Sequence, residues 1–442
     1  MYTKEIEKIL KEKKIALGDK IRITRGEEVH EGIIIPRPEK ESSTIILKQD
    51  SGYNIGINYK NGAAIEKISP GKRLEIFPSI DIKSKEGLPK ISMIATGGTI
   101  SSRISYETGG VKWLMEPGQL LSIVPELEKI VDMQKIEKPF LIASENMSAT
   151  HWQQLAEKTA ELLNNGSAGV IITHGTDTLH YTAAALSFML KNLSKPVVLT
   201  YSQKSTDRGS TDTVLNLTCA AYAAGHSDIA EVMLCGHGES SDTYCLLNRG
   251  TKVRKMHTSA RHTFRPINDL PIAKIDSTGK IEILNDNYHK RTDKKTETDT
   301  KFEEKVALIK YYPGASPSLI DFLVKDGYKG IVIEATGLGH IATDESRYNW
   351  LPAIKNAISK GVVICAAAQT LYGRLDPLVY SEGRKVEDLG VIHLEDMLPE
   401  TAYVKLGWVL GHTSDQKRAK EMMLENIAGE LTEKTDVRTF LY

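Results

Sequence analysis

Three short segments of this chain hold residue types that could do chemistry together. The first is Ala95-Thr96-Gly97-Gly98-Thr99-Ile100-Ser101, where hydroxyls flank a glycine pair. Adjacent glycines let main chain approach a ligand closely, and their N–H groups could face a developing oxyanion. The second is Thr173-His174-Gly175-Thr176-Asp177-Thr178, which packs hydroxyls, an imidazole and a carboxylate into six positions. The third is Arg254-Lys255-Met256-His257-Thr258-Ser259, preceded by Lys252. A buried lysine crowded by other cations sheds its proton more readily, which suits a general base. Each segment also has a plainer reading. The first could be a tight turn with hydroxyl-to-backbone bonds. The second could be a helix N-cap built on Thr176 or Asp177. The third could be a basic surface loop, and spacing alone favours that reading.

These segments fall where strands hand over to helices. From residue 89 onward, short apolar runs at 91–95, 168–173, 196–201 and 231–235 read as strands. Their Val and Ile content with little polar alternation predicts a parallel sheet covered by helices on both faces. In such sheets ligands sit beyond the carboxyl ends of the strands. Helices are expected at 151–164, with Thr150 as N-cap, Gln153 three residues on and Gly166 past the end, and at 179–190. Residues 286–305 are almost wholly charged or polar and read as a solvated linker. Strands at 306–310, 330–335 and 361–367 and helices at 397–410 and 414–428 resume the rhythm.

The first 85 residues have a different texture. A helical lead at 4–14 precedes short alternating runs at 20–24, 32–35, 44–47, 53–57 and 64–68. Turn residues at 25–26, 36–38, 50–52 and 61–62 separate them, which argues for a small barrel or sandwich. Residues 78–85 read as a linker. The layout is therefore 1–85 as a β-domain, 86–285 as a large α/β domain, 286–305 as a charged linker and 306–442 as a smaller α/β domain.

A chain of 442 residues exceeds one ordinary core. Formal net charge is zero, so no overall basic field grips nucleic acid. Four cysteines without Cys-x-x-Cys spacing, a charged N-terminus and no apolar run of membrane-spanning length fit a cytoplasmic protein. There is no Gly-x-Ser-x-Gly elbow, no phosphate-binding Gly-x4-Gly-Lys-[Ser/Thr] loop and no His-Glu-x-x-His. The histidines lack metal-ligand spacing, so no metal is expected in this chain.

The segments Thr96-Gly97-Gly98-Thr99-Ile100 and His174-Gly175-Thr176-Asp177-Thr178, in this order, resemble the two signatures of the bacterial-type L-asparaginases. The resemblance runs from about residue 90 to the C-terminus. It implies an α/β fold, the two-domain parallel-sheet sandwich of L-asparaginase, here preceded by the small all-β, barrel-like domain. It implies Thr99 as primary nucleophile, assisted by Tyr106 of the Tyr-x-x-Gly ending at Gly109. Thr176, Asp177 and Lys255 would form a proton relay. Ser144 and Glu145, in Ala-Ser-Glu-Asn-Met, would grip the substrate's α-carboxylate and amino group, with Gly98 and Gly175 lining the same site. Gly337-Leu338-Gly339-His340 departs from a Gly-x-Gly-Asn of many relatives, which places a contact from the neighbouring subunit in question.

The N-terminal part resembles a narrower group, the D subunits of archaeal glutamyl-tRNA(Gln) amidotransferases. The matching pieces are Gly18-Asp19-Lys20-Ile21-Arg22-Ile23, Gly32-Ile33-Ile34-Ile35-Pro36-Arg37 and Gly52-Tyr53-Asn54-Ile55-Gly56-Ile57, together with residues 395–406 near the other end. That resemblance implies glutamine as substrate, with asparagine left open by the sequence, and ammonia as product. It implies a homodimer of this chain joined to two copies of the E subunit in an α2β2 assembly. That partner would bind tRNA(Gln), ATP and Mg, leaving no cofactor here. The competing readings are a free-standing L-asparaginase and a non-catalytic scaffold. The extra β-domain argues against the first. The presence of Thr99, Thr176, Asp177 and Lys255 argues against the second. The sequence does not order the two threonines in time.

Overall fold

The computed structural model describes residues 2–35, 43–48, 54–59, 63–71, 86–104, 111–113, 124, 126–205 and 211–441. The expected turns at 36–38, 50–52 and 61–62 and the linker at 78–85 lie outside them.

The loops singled out for chemistry are set by an eight-stranded sheet. Its spatial order is Ile281–Ile283, Ala273–Asp276, Tyr244–Arg249, Val232–His237, Val197–Thr200, Gly169–Thr173, Lys90–Ala95 and Asp132–Glu137. The last five of these run parallel. Gly169–Thr173 and Val197–Thr200 are buried at every position, as unalternating Val and Ile require. Val170 and Ile172 pack on the side of helices Ala149–Asn164 and Leu179–Met189, whereas Ile171 packs on the side of helix Thr213–His226. Lys90–Ala95, the first strand of this sheet along the chain, is flanked by the second and third, so strand order reverses there. Such a switch point opens a crevice at the carboxyl ends.

The parallel sheet expected from the sequence continues at one edge into antiparallel strands. Val232–His237, Tyr244–Arg249, Ala273–Asp276 and Ile281–Ile283 pair antiparallel in succession. Connection length sets the first of these pairings. A parallel crossover needs a dozen or more residues, and the chain between His237 and Tyr244 permits only a hairpin. The helix expected at 151–164 begins at Ala149, capped by Ser148 rather than Thr150. His151 supplies the reciprocal contact, its Nδ1 accepting from the Ser148 N–H at 3.2 Å.

A second sheet of four parallel strands, Val306–Lys310, Gly330–Ala335, Val363–Ala368 and Ile392–His393, follows. Helix Pro399–Leu410 packs against both this sheet and helix Leu179–Met189, so one hydrophobic core crosses the seam. The charged stretch at 286–305 exposes most of its charges, but its backbone is tied down. Arg291 donates to the carbonyls of Ser227 (2.5 Å), Ala168 and Ala224 (2.8 Å). Glu297–Thr298 pairs with Leu190–Lys191, and Thr296 exchanges two hydrogen bonds with Asn164. It is a strap, not a free linker.

The N-terminal residues build a separate antiparallel sheet in the order Asn54–Asn58, Thr44–Lys48, Glu28–Ile35, Lys20–Arg25, Ala64–Ser69. Its buried isoleucines are roofed by Ile6 and Leu10 of helix Lys4–Glu12. Asp19 fastens one end, accepting from the N–H groups of Ala16 (2.7 Å) and Gly71 (2.6 Å) and from Lys67 at 2.6 Å. Burial raises its carboxyl, but the Lys67 hydrogen bond and the two N–H groups outweigh that and hold it below the usual range.

Candidate active site

Strands Lys90–Ala95 and Gly169–Thr173 end in register, Ala95 opposite Thr173, so the loops that follow lie side by side. Thr96 does not face the crevice. It is buried, and its hydroxyl donates to the Thr173 carbonyl at 2.9 Å, clamping the strand ends together. Beyond it, Gly97 and Gly98 take φ of +118° and +79°. A Cβ at Gly98 would lie 2.5 Å from the Gly175 Cα, and one at Gly97 2.5 Å from the Ile142 carbonyl oxygen. The glycine requirement is therefore steric as well as conformational. Thr99 and Thr176 each stand one residue past this main-chain contact. Thr99 is half-buried and opens a 3-10 turn whose carbonyl accepts from Ser102 Oγ at 2.6 Å.

Ser144 comes from a third element, the short turn Ser144–Asn146. It is buried, its Oγ accepts from the Asp177 N–H at 3.2 Å, and its carbonyl accepts from Thr178 Oγ1 at 2.5 Å. A Cβ at Gly175 would meet the Ser144 side chain at 2.9 Å. Glu145 follows on the same turn and is exposed. Tyr106 and Gly109 lie outside the described residues.

Lys255 ends the hairpin strand Val253–Lys255, opposite Phe264 of Phe264–Pro266. Its Nζ lies 2.8 Å from Thr176 Oγ1 and 2.8 Å from Asp177 Oδ1. The expected crowding by neighbouring cations does not arise. Lys252 turns into the protein to Asp396 Oδ2 at 2.8 Å, and Arg254 Nε lies 2.9 Å from Glu400 Oε1. Consecutive strand residues face opposite sides, which sends Arg254 away from the Lys255 side. The hairpin is held from below by Phe264 against Tyr201, and the Tyr201 hydroxyl donates to the Arg261 carbonyl at 2.7 Å.

His174 has a structural part. Fully buried, it is linked through Nδ1 to the Gly175 carbonyl at 2.7 Å and through Nε2 to Thr182 Oγ1 at 2.9 Å. Trp152 Nε1 donates to the same Thr182 hydroxyl at 3.1 Å. Burial pushes the imidazole down to about 4, so it is neutral and braces the loop. Two neighbours escaped sequence reading as site residues, His180 and Glu400. His180 sits inside an apolar helix pattern and Glu400 far along the chain, and no local spacing ties either to Lys255.

The chain and its fold have counterparts among known proteins. Residues 90–289 match the family model "Asparaginase, N-terminal", residues 305–423 "Glutaminase/Asparaginase C-terminal domain" and residues 15–68 "GatD N-terminal domain". The thermostable L-asparaginase from Thermococcus kodakarensis superposes with a TM-score of 0.70 at 28% identity, over 78% of this chain and all of that one. The L-asparaginase I from Vibrio cholerae gives 0.67 at 28% identity over the same shares. Among curated proteins, the D subunit of the glutamyl-tRNA(Gln) amidotransferase of Pyrococcus furiosus is 53% identical over 99% of both chains. That of Sulfolobus acidocaldarius is 43% identical over 97% of this chain and 95% of its own. With relatives of that identity matched along both the β-unit and the two α/β units, the chain belongs to the family of glutamyl-tRNA(Gln) amidotransferase D subunits, enzymes built on an asparaginase-like amidohydrolase frame.

Proposed function

We propose that this chain is the glutaminase of a tRNA-dependent amidotransferase and that Thr99 is its nucleophile. One observation carries the reading: the Lys255 amine lies 2.8 Å from both the Thr176 hydroxyl and the Asp177 carboxylate, beside the loop that bears Thr99. A threonine hydroxyl is a weak nucleophile near neutral pH and needs a positioned base. The Lys255 amine, once it has lost a proton, accepts the Thr176 proton, and Thr176 in turn accepts the proton of the attacking hydroxyl. Thr99 Oγ1 bonds to the side-chain amide carbon of glutamine, and N–H groups of the Gly97–Gly98 turn face the oxyanion. Collapse breaks the C–N bond, and the proton returns through the relay to the nitrogen, which leaves as ammonia. Water then attacks the threonyl ester, its proton takes the same route, and glutamate departs. Tyr106 assists Thr99, while Ser144 and Glu145 hold the α-carboxylate and amino group of the substrate beside Gly98 and Gly175.

Ammonia made here serves a partner, the E subunit, which binds tRNA(Gln) with ATP and Mg and converts its glutamyl ester to the amide. Two copies of each chain, with this one as the homodimer, make up the cytoplasmic complex. The likeness to solved L-asparaginases supports a second reading, a free-standing amidase acting on asparagine. The matched N-terminal unit favours the first.

Thr99→Ala in the purified complex should lose glutamine hydrolysis by at least the roughly 10²–10⁴ typical of a proton-transfer group, yet still amidate charged tRNA when free ammonia is supplied. Glutaminase activity surviving in the variant removes Thr99 as nucleophile. Failure of ammonia to rescue amidation removes the division of labour.

A further inference from the structure

Behind Lys255 lies a buried polar cluster that the proposed reaction does not use. Glu400 sits in the first turn of helix Pro399–Leu410, which belongs to the small α/β unit. It reaches across the seam, its Oε1 2.9 Å from Arg254 Nε and 3.9 Å from His180 Nε2. Its Oε2 and the Nδ1 of His180 are both buried without a hydrogen-bond partner among the described residues. Tyr181 and Tyr403 close the cluster, their rings 6.2 Å apart, and Glu334 with Lys310, 3.4 Å from each other, lie farther out on the small sheet.

A carboxylate with one orphaned oxygen is a poor choice for holding two units together. Apolar side chains would fill that space at lower cost, and buried groups left half-satisfied recur where function requires them. His180 adds no charge, since burial, aided by Arg254 and Lys255, pushes it down to about 3. His180 therefore lies between two charge pairs, Lys255 with Asp177 and Arg254 with Glu400, whose cations sit on adjacent residues of one strand. Burial pushes the Glu400 carboxyl above the usual carboxylate range, and the Arg254 guanidinium opposes that push.

We propose that Glu400 is a positioning residue for Lys255: it neutralises and anchors Arg254, the adjacent residue on the strand, and so completes the relay only when the small unit is docked on the large one. The inference rests on the proposed glutaminase reading and deepens it. Without the Glu400 charge, the guanidinium repels a proton on the neighbouring amine. Without the guanidinium, the Glu400 charge retains that proton. The two removals should act in opposite directions.

The test is steady-state glutamine hydrolysis by the full complex between pH 5.5 and 9, for the native chain, Glu400→Gln, Glu400→Asp and Arg254→Gln. Glu400→Gln should lower kcat about tenfold, a fraction of what a general base supplies, with KM within about twofold. It should also move the acid limb of the kcat profile down by about one unit, and Arg254→Gln should move it up. Glu400→Asp should restore the native limb. Limbs that stay in place, or that move in the same direction in Glu400→Gln and Arg254→Gln, overturn the proposal even if stability falls, since a purely structural contact changes activity without opposing shifts. A native complex that hydrolyses no glutamine fails the proposed function itself, a separate outcome.

Discussion

Three residues apart on one hairpin, two lysines meet a carboxylate at the same 2.8 Å, and the two pairs differ in everything else. Lys252 is 0% exposed and Asp396 2%, whereas Lys255 is 12% exposed and Asp177 63%. The inner pair is enclosed by further bonds: Thr432 donates to Asp396 through its N–H at 3.1 Å and its hydroxyl at 2.5 Å, and Asn268 bridges to Gly373. Burial holds the Lys252 ammonium below its ordinary value although Asp396 pulls the other way. The outer pair ends in a hydroxyl and open space. The same chemical contact is a rivet where water is excluded and, in the proposed reaction, part of a proton relay where it is not.

Substitution should separate them. Lys255→Met is expected to lower glutamine turnover by roughly 10²–10⁴ with melting nearly unchanged, because an exposed pair contributes about 0–1 kcal/mol. A large loss of stability would mean that the outer pair is also structural. Lys252→Met should do the reverse, costing about 3–5 kcal/mol in chemical denaturation by stranding Asp396. The double variant Lys252→Met with Asp396→Leu should recover much of that cost, and failure to recover would show that the surrounding bonds, rather than the charges, hold the seam.

Acid should expose a smaller difference. His174, behind the outer pair, has a folded value of about 4 against 6.5 when unfolded. Below 6.5 the unfolded chain takes up a proton that the folded one refuses until about 4. Stability from this burial is thus complete above 6.5 and lost as pH falls from there towards 4, about 3 kcal/mol in all. Thermal melts from pH 7 to 4.5 measure it, and His174→Gln should flatten the slope. An equal slope in the variant would assign the acid sensitivity elsewhere.

What could be read from the sequence was what local spacing encodes. Strand ends, the glycine pair and the two threonine loops are contiguous, and Lys90–Ala95 and Gly169–Thr173 could be recognised as short apolar runs with little polar alternation. The meeting of Lys255 with Thr176 followed from resemblance rather than from pattern. Contacts made across the seam, Glu400 to Arg254 and Lys252 to Asp396, left no local trace, because each partner's neighbours are ordinary for its own element. The charged strap misled for a related reason. Its side chains are polar enough for solvent, but Arg291 donates to main chain elsewhere and the Thr296 backbone bonds to the Asn164 side chain, which composition does not register.

The contact of Gly98 with Gly175 has a consequence for what this scaffold can become. Since no side-chain atom fits between those two positions, the approach of the two main-chain segments that carry Thr99 and Thr176 is gauged by the peptide backbone. Exchanging side chains nearby cannot widen or narrow it. Adapting such an enzyme to a longer or shorter amide would, in the proposed mode, have to be done at the mouth, where Ser144 and Glu145 meet the far end of the substrate, while the approach of the two threonine loops stays locked.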